Sequence, residues 1–510
     1  MNGFDSWALT LAVFLPLVGV AVMAIVPSAN EDLHKLIALV TAVATLGVGV
    51  GILLRFDFGA EDAFQRFEVD RGWIDVINSR YHVFVDGISL PMLILSMLIT
   101  VLCIIYSWNH FPEPHNPKAF LILMLVLETG MNGTFVAEDL ILFFVFFELV
   151  LLPMYFMIGV WGGENRQYAS IKFFLYTLFG SALMILSFLA LYFLGGETFD
   201  IPTLVAEAPR LIDKDVQILI FAGLFMGFAI KVPMFPFHTW LPDAHTEAPT
   251  VGSVILAAVL LKLGTYGFIR IALPMLPEAA IEWAPWIGGL AVIGIIYGAL
   301  GCLAQRDMKR LIAFSSVAHM GYVMLGISTL TDYGINAALF GMVAHGLITG
   351  MLFFLAGSIH ERFHTRELAR LGGLLKQAPH LGWILGFCAF ASLGLPGLAG
   401  FWGEFPAILS AYNPAEGLPV GLYRGYMVVA AIGTVLAAGY LLWMYQRTAF
   451  GAPTDEFKDA HIHDVHTSEW LAWTPLLILI LLFGILPGIM FGVTDDAVQL
   501  VADVFRTGGS

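Results

Sequence analysis

Two lysines stand where hydrocarbon is expected. Lys231 and Lys262 lie in the stretch Met226–Arg270, MGFAIKVPMFPFHTWLPDAHTEAPTVGSVILAAVLLKLGTYGFIR, each inside an apolar run. A lysine at the centre of a membrane helix costs roughly 2.5–3.5 kcal/mol, so each must face a partner or a wet cavity. Glu148 sits about ten residues into the apolar run LILFFVFFELVLLPMYFMIG, hence about 15 Å deep. Glu404 follows SLGLPGLAGFWG, His319 lies in FSSVAHMGY and His345 in GMVAHGLIT. His238 follows the prolines after Lys231. Acids and bases of this kind, placed in oil, suit proton transfer: burial and neighbouring charges tune lysine and glutamate over several pH units, and histidine titrates near neutrality unaided. At an assumed separation of about 7 Å and an effective dielectric of about 20, Glu148 and Lys231 attract by roughly 2.4 kcal/mol. A pair that opens and closes by that amount is an electrostatic switch on a proton.

Each residue also has a plainer reading. Glu148 serves equally as half of an ion pair that glues helices. The lysines can snorkel toward an interface, which suits Lys231 better than Lys262. A half-helix dipole stabilises a carboxylate at Glu404, and a lone histidine packs. A metal site built from His238, Asp243 and His245 is a further reading, but prolines stiffen that loop and no ligand repeat is visible. The number of ionisable groups in apolar runs favours proton transfer.

The elements that must hold these groups are membrane helices. Mean hydropathy is +0.84, and 59% of residues are hydrophobic but 12% charged, against roughly 25% charged in soluble domains. Continuous apolar runs of about 20 residues, rather than alternating ten-residue strands, indicate α-helices and not a β-barrel. The net charge of −15 is no nucleic-acid footprint, because its acidic residues lie mostly in loops and near the C-terminus. Cys103, Cys302 and Cys388 are far apart, with no spacing for an iron–sulfur cluster or zinc. No phosphate-cradling or dinucleotide fingerprint is present. The first apolar run, Trp7–Val26, follows a start without lysine or arginine and reads as a permanent helix rather than a cleaved signal.

The predicted fold class is an all-α polytopic membrane protein with about 14 transmembrane helices. They cover about 7–27, 33–54, 83–108, 118–136, 138–160, 168–195, 216 onward, 250–274, 284–304, 308–329, 333–359, 380–412, 420–447 and 469–492. A short surface helix is allowed in the tail. Helices 7 and 12 are broken, the first by Pro233 and Pro236, the second by Gly394, Pro396 and Gly397. Broken helices at matching places in two halves point to a transport site. The chain divides into 1–117 (helices 1–3 and an outer-face loop at 55–81), 118–274 and 284–447 (inverted five-helix repeats, helices 4–8 and 9–13), and 448–510. Loops after odd helices hold Lys35, Lys118, Arg166, Lys172, Arg306, Lys309, Arg310, Arg362, Arg366, Arg370, Lys376, Arg447 and Lys458. The short loops after even helices hold Arg210, Lys214, Arg270 and Arg424. The positive-inside rule then puts odd loops in the cytoplasm and both termini outside.

Three segments carry a resemblance. KVPMFPFHTWLPDAHTEAPTVGSVILAAVLLKLGTYG, FFVFFELVLLPMYFMIGVWG and RDMKRLIAFSSVAHMGYVMLGI resemble the signature of antiporter-like subunits of respiratory complex I (NADH-quinone oxidoreductase) and of Mrp-type cation/proton antiporters. The likeness runs from about Val83 to Phe450. Glu404, where N-type, L-type and Mrp relatives usually carry lysine, looks like the M-type chain. The resemblance implies a fourteen-helix fold with inverted repeats. It also implies a relay in which Glu148 pairs with Lys231, Lys262 is central, His319 and His345 lead to Glu404, and His238 sits beside the first break. It implies a bacterial plasma membrane location and partners among the other membrane-arm subunits, neighbouring antiporter-like chains included. Cofactors are expected to be absent from this chain, with flavin, iron–sulfur clusters and quinone in partner subunits. The alternatives are a subunit of an Mrp-type antiporter or a membrane-bound hydrogenase, and a passive scaffold.

Overall fold

A computed structural model describes residues 3–58 and 67–506, so part of the expected 55–81 loop lies outside the described residues. The chain is a multi-pass membrane protein: among the described residues, twelve helical stretches are long and apolar enough to cross a bilayer. In chain order the first half contains α1 (Ala8–Ile25), α2 (Glu31–Arg55), α3 (Ser89–Ser107), α4 (Pro117–Val136), α5 (Leu140–Leu149), α6 (Leu151–Trp161), α7 (Arg166–Leu194), α8 (Ile201–Leu211), α9 (Lys214–Lys231), α10 (Trp240–Glu247) and α11 (Thr250–Met275). The second contains α12 (Pro277–Leu303), α13 (Met308–Ser328), α14 (Asp332–Phe363), α15 (Pro379–Ser392), α16 (Ala399–Ser410), α17 (Val420–Ala449), α18 (Thr467–Ile485) and α19 (Gly488–Arg506). Single turns are left out. Asn116, Asp139, Asp307 and Thr331 start helices by accepting backbone N–H groups with their side chains.

Burial sorts the helices. In α11, α13 and α14, 94% of the spanning residues are buried, whereas in α2 the share is 28%. Large apolar side chains stay exposed on α2, α7, α17 and α18, as lipid-facing surfaces require. Lys262, His319 and His345 therefore sit on helices wrapped by others.

Four local features differ from expectation. The 55–81 stretch contains an antiparallel hairpin, β1 (Val69–Ile74) with β2 (Ser79–Val83), so the fold is not purely helical. The fifth predicted helix is divided at Val150, because Pro153 has no N–H for the Leu149 carbonyl; Glu148 thus sits at the end of α5. The last predicted helix ends at Ile485, just before Pro487, and the tail forms the 19-residue helix α19, which presents a buried apolar stripe. Finally, α8 is a short helix between α7 and α9 with Ile201, Leu204 and Ala208 buried.

Candidate functional site

The two helix interruptions and a widened helix place the charged groups. The seventh predicted helix is α9 and α10, separated at residues 232–239. Lys231 is the last residue of α9, and Trp240 Nε1 donates to the Ile230 carbonyl freed by the break, at 2.9 Å. The twelfth is α15 and α16, separated at 393–398, where Gly394 and Gly397 take φ of 78° and 93°. L-residues avoid that conformation, so glycine permits the turn. In α11 the backbone widens to π-helix at Leu256–Leu260 and again at Phe268–Ala272, on either side of Lys262. Such bulges release carbonyls from the ladder and recur at functional sites.

One line of side chains runs over four helices, α11, α14, α13 and α16. Lys262 Nζ is fully buried; it donates to the Ala257 carbonyl at 2.6 Å and to His345 Nδ1 at 2.7 Å. Close packing of α14 on α11 makes that contact: a Cβ on Gly346 would lie 2.8 Å from the Ala258 carbonyl oxygen. The His345 ring is 5.9 Å from the His319 ring. His319 Nδ1 pairs with Glu404 Oε1 at 2.5 Å, while Ser392 Oγ and the Tyr440 hydroxyl stand 3.1 and 3.3 Å from its Nε2. A cavity of about 20 Å³, room for a water molecule, is lined by His319, His345, Ser392 and Glu404 among others. Chemically this is a lysine, two histidines and a carboxylate in hydrogen-bond or single-water reach, as stepwise proton transfer requires.

The first half is arranged differently. Ser181 Oγ donates to Glu148 Oε1. Lys231 Nζ is buried, has no hydrogen-bond partner, and lies 4.5 Å from the centre of the Phe147 ring. Among the described residues no carboxylate pairs with it within 4 Å, and Glu148 turns to Ser181 instead. His238 lies within the break that follows Lys231, and its ring packs 4.9 Å from Tyr297 and 5.7 Å from Phe235. For the metal reading, Asp243 is engaged by Lys172 at 2.7 Å, with Arg310 at 3.5 Å, and the His245 ring stacks on Phe353 at 4.4 Å.

Sequence reasoning missed several residues. Ser181, Ser392 and Tyr440 hold the charged groups, yet hydroxyls in apolar runs give no signal of their own. Glu128 on α4 is fully buried with both carboxylate oxygens unpartnered. The rule that selected Glu148, a carboxylate deep in an apolar run, selects Glu128 equally well. His245, buried with both ring nitrogens unpartnered, entered the sequence reading only as a metal ligand.

The family model described as NADH:quinone oxidoreductase/Mrp antiporter, TM, matches residues 137–422, and the one described as NADH-ubiquinone oxidoreductase chain 4, amino terminus, matches residues 72–132. NADH-quinone oxidoreductase subunit M of Rhodobacter capsulatus is 42% identical over 94% of both chains, and that of Rickettsia bellii is 40% identical over 96% of this chain and 97% of the relative. A chain of respiratory complex I from Thermus thermophilus superposes with a TM-score of 0.87 at 29% identity, covering 98% of this chain and 99% of that one. A chain of the Mrp complex from Dietzia gives 0.86 at 20% identity, covering 99% and 98%, which shows shared fold. The chain belongs to the NADH:quinone oxidoreductase/Mrp antiporter transmembrane family, among its M-type (chain 4) members.

Proposed function

We propose that this chain is a proton-translocating membrane-arm subunit of an NADH-quinone oxidoreductase. It carries no redox centre of its own, and flavin, iron–sulfur clusters and quinone belong to partner subunits. The observation that carries the reading is the buried line Lys262–His345–His319–Glu404 passing a helix break. An ion pair that merely braces helices needs two partners, whereas four groups in series at transfer distance suit a relay. Glu148 and Lys231 form an electrostatic switch beside it, and opening or closing that pair biases the proton on Lys262. His238 stands outside the chain of contacts and shapes the first break.

The remaining architecture fits this role: fourteen spans when the two broken helices are counted, inverted repeats at 118–274 and 284–447, and N-terminal and C-terminal parts at 1–117 and 448–510. The lysine and arginine bias orients the odd loops to the cytoplasm of a bacterial inner membrane, with both termini outside. The partners are other membrane-arm subunits, neighbouring antiporter-like chains among them, as the complex I and Mrp assemblies of the structural relatives suggest. Glu404 and the identity to M-type chains favour this over an Mrp subunit.

The test is Lys262→Met in the assembled enzyme reconstituted into liposomes. Removing the central transfer group is expected to cut NADH-driven proton translocation by about 10²-fold. Translocation at the unsubstituted rate would leave the buried charges as braces and end the reading.

A further inference from the structure

A second group of ionisable residues lies at the hairpin face, at the far end of the helix that carries Lys262. Lys262, Tyr266 and Arg270 follow one another at four-residue intervals on α11, so they share a face. The Tyr266 hydroxyl donates to the Phe135 carbonyl at 2.8 Å and receives Arg270 Nε at 3.3 Å. Arg270 Nη2 binds Asp86 at 2.6 Å, and its Nε is 3.6 Å from Glu138 Oε1. The Glu138 backbone N–H donates to the His82 carbonyl at 2.9 Å. The His82 ring in turn lies between Asp200 at 2.7 Å and Glu68 at 2.9 Å.

Two observations separate this group from an ordinary ionic brace. The first is an open atom. Asp86 and Asp139, its acidic neighbours, are closed by backbone N–H groups, by serines and, for Asp86, by Arg270. Glu138 is buried and its Oε1 has no hydrogen-bond partner. The second is a gradient of exposure. The side chains are 4% exposed at Glu138, 6% at His82, 15% at Asp200 and 36% at Glu68, so consecutive groups lead from the interior to the surface. Arginine stays protonated and cannot pass a proton on; Arg270 sets the field while carboxylates, imidazole and hydroxyl carry it.

We propose that Glu138 is the ionisable end of a proton branch that leaves Lys262 along α11 and opens through His82 at the hairpin face. This rests on the proton-translocating reading above and adds to it an exchange site with the bulk, on a helix other than the broken α15–α16. The electrostatic surroundings of two groups support it. Burial raises the Glu138 carboxyl to about 7 against the opposing charge of Arg270, with Asp86 and Asp200 adding to the rise and His82 opposing it. Burial disfavours the His82 cation, but the hydrogen bonds of Asp200 and Glu68 prevail and raise it to about 9. A group that changes charge near neutrality thus stands next to one that stays charged.

The experiment uses the intact complex in liposomes, with NADH-driven acidification and quinone reduction followed from pH 6 to pH 8.5. Glu138→Gln is expected to lower translocation about fivefold and to remove an inflection near pH 7. Glu138→Asp should restore most of the rate and move that inflection to lower pH. A Glu138→Gln enzyme with unchanged rate and unchanged pH profile overturns the branch. If that variant does not assemble, Tyr266→Phe decides: a reduced rate supports the branch, and an unchanged rate overturns it. Lys262→Met, run alongside, separates the two proposals. Loss in Lys262→Met with no change in Glu138→Gln removes the branch alone; no change in Lys262→Met removes the relay on which it rests.

Discussion

The two halves hold the same chemistry in opposite states. Around α13, α14 and α16, Glu404 is closed onto His319, and His345 is closed onto Lys262 of α11 from the first half. Around α5, α7 and α9, Glu148 is held by Ser181 while Lys231 has no hydrogen-bond partner and faces a phenylalanine ring. Both halves place a carboxylate at or beside a helix interruption, so the difference lies in what approaches it. In the second half glycines let helices touch. A Cβ on Gly403 would lie 2.5 Å from Gly341 Cα, and this contact between α16 and α14 brings Glu404 beside His319. In the first half the aromatic rings of Phe143, Phe147 and Phe228 pack at the junction of α5 and α9. The lesson is that which acids and bases meet is set as much by the packing residues around them as by the ionisable groups themselves.

The largest expected effect that would sharpen this contrast comes from the carboxylates. Glu404→Gln removes an acid engaged in a closed pair and should lower translocation by about tenfold, and Glu148→Gln by about threefold. Equal losses in reconstituted enzyme would break the comparison. Next comes the helix contact. Gly403→Val inserts side-chain atoms where two backbones meet and should destabilise the subunit by roughly 1–3 kcal/mol, read as a lowered Tm of the detergent-solubilised complex. A variant with unchanged Tm would show that the contact does not set the second half. The smallest effect is expected from Ser181→Ala. The hydrogen bond to the carboxylate is worth about 1.5–3 kcal/mol, most of it recovered when Glu148 swings toward Lys231. A pH profile of translocation that shifts in Ser181→Ala, and stays put in Ser392→Ala, would show that the serine holds the first pair open.

Much of this was legible from the chain alone. Apolar runs of bilayer length carry their own signal, because hydrocarbon excludes charge and leaves backbone groups no partner but one another. Proline and glycine clusters marked both broken helices for the same local reason. Glu148, Lys231, Lys262 and Glu404 stood out because each is costly where it lies. The hairpin was illegible because its first strand, VDRGWI, lacks regular alternation. The α5–α6 division needed only Pro153 to be read more strictly.

What the sequence determined by itself is the inventory and its depth: which ionisable groups enter the membrane, and near which breaks. Only the tertiary structure decided which of them meet. Lys262 and His345 are 83 residues apart and His319 and Glu404 are 85 apart, and no local pattern fixes such contacts. They depend on the π-bulges of α11 and on the glycine contacts of α14. Helix packing is a property of two surfaces together, so neither strand of sequence contains it alone.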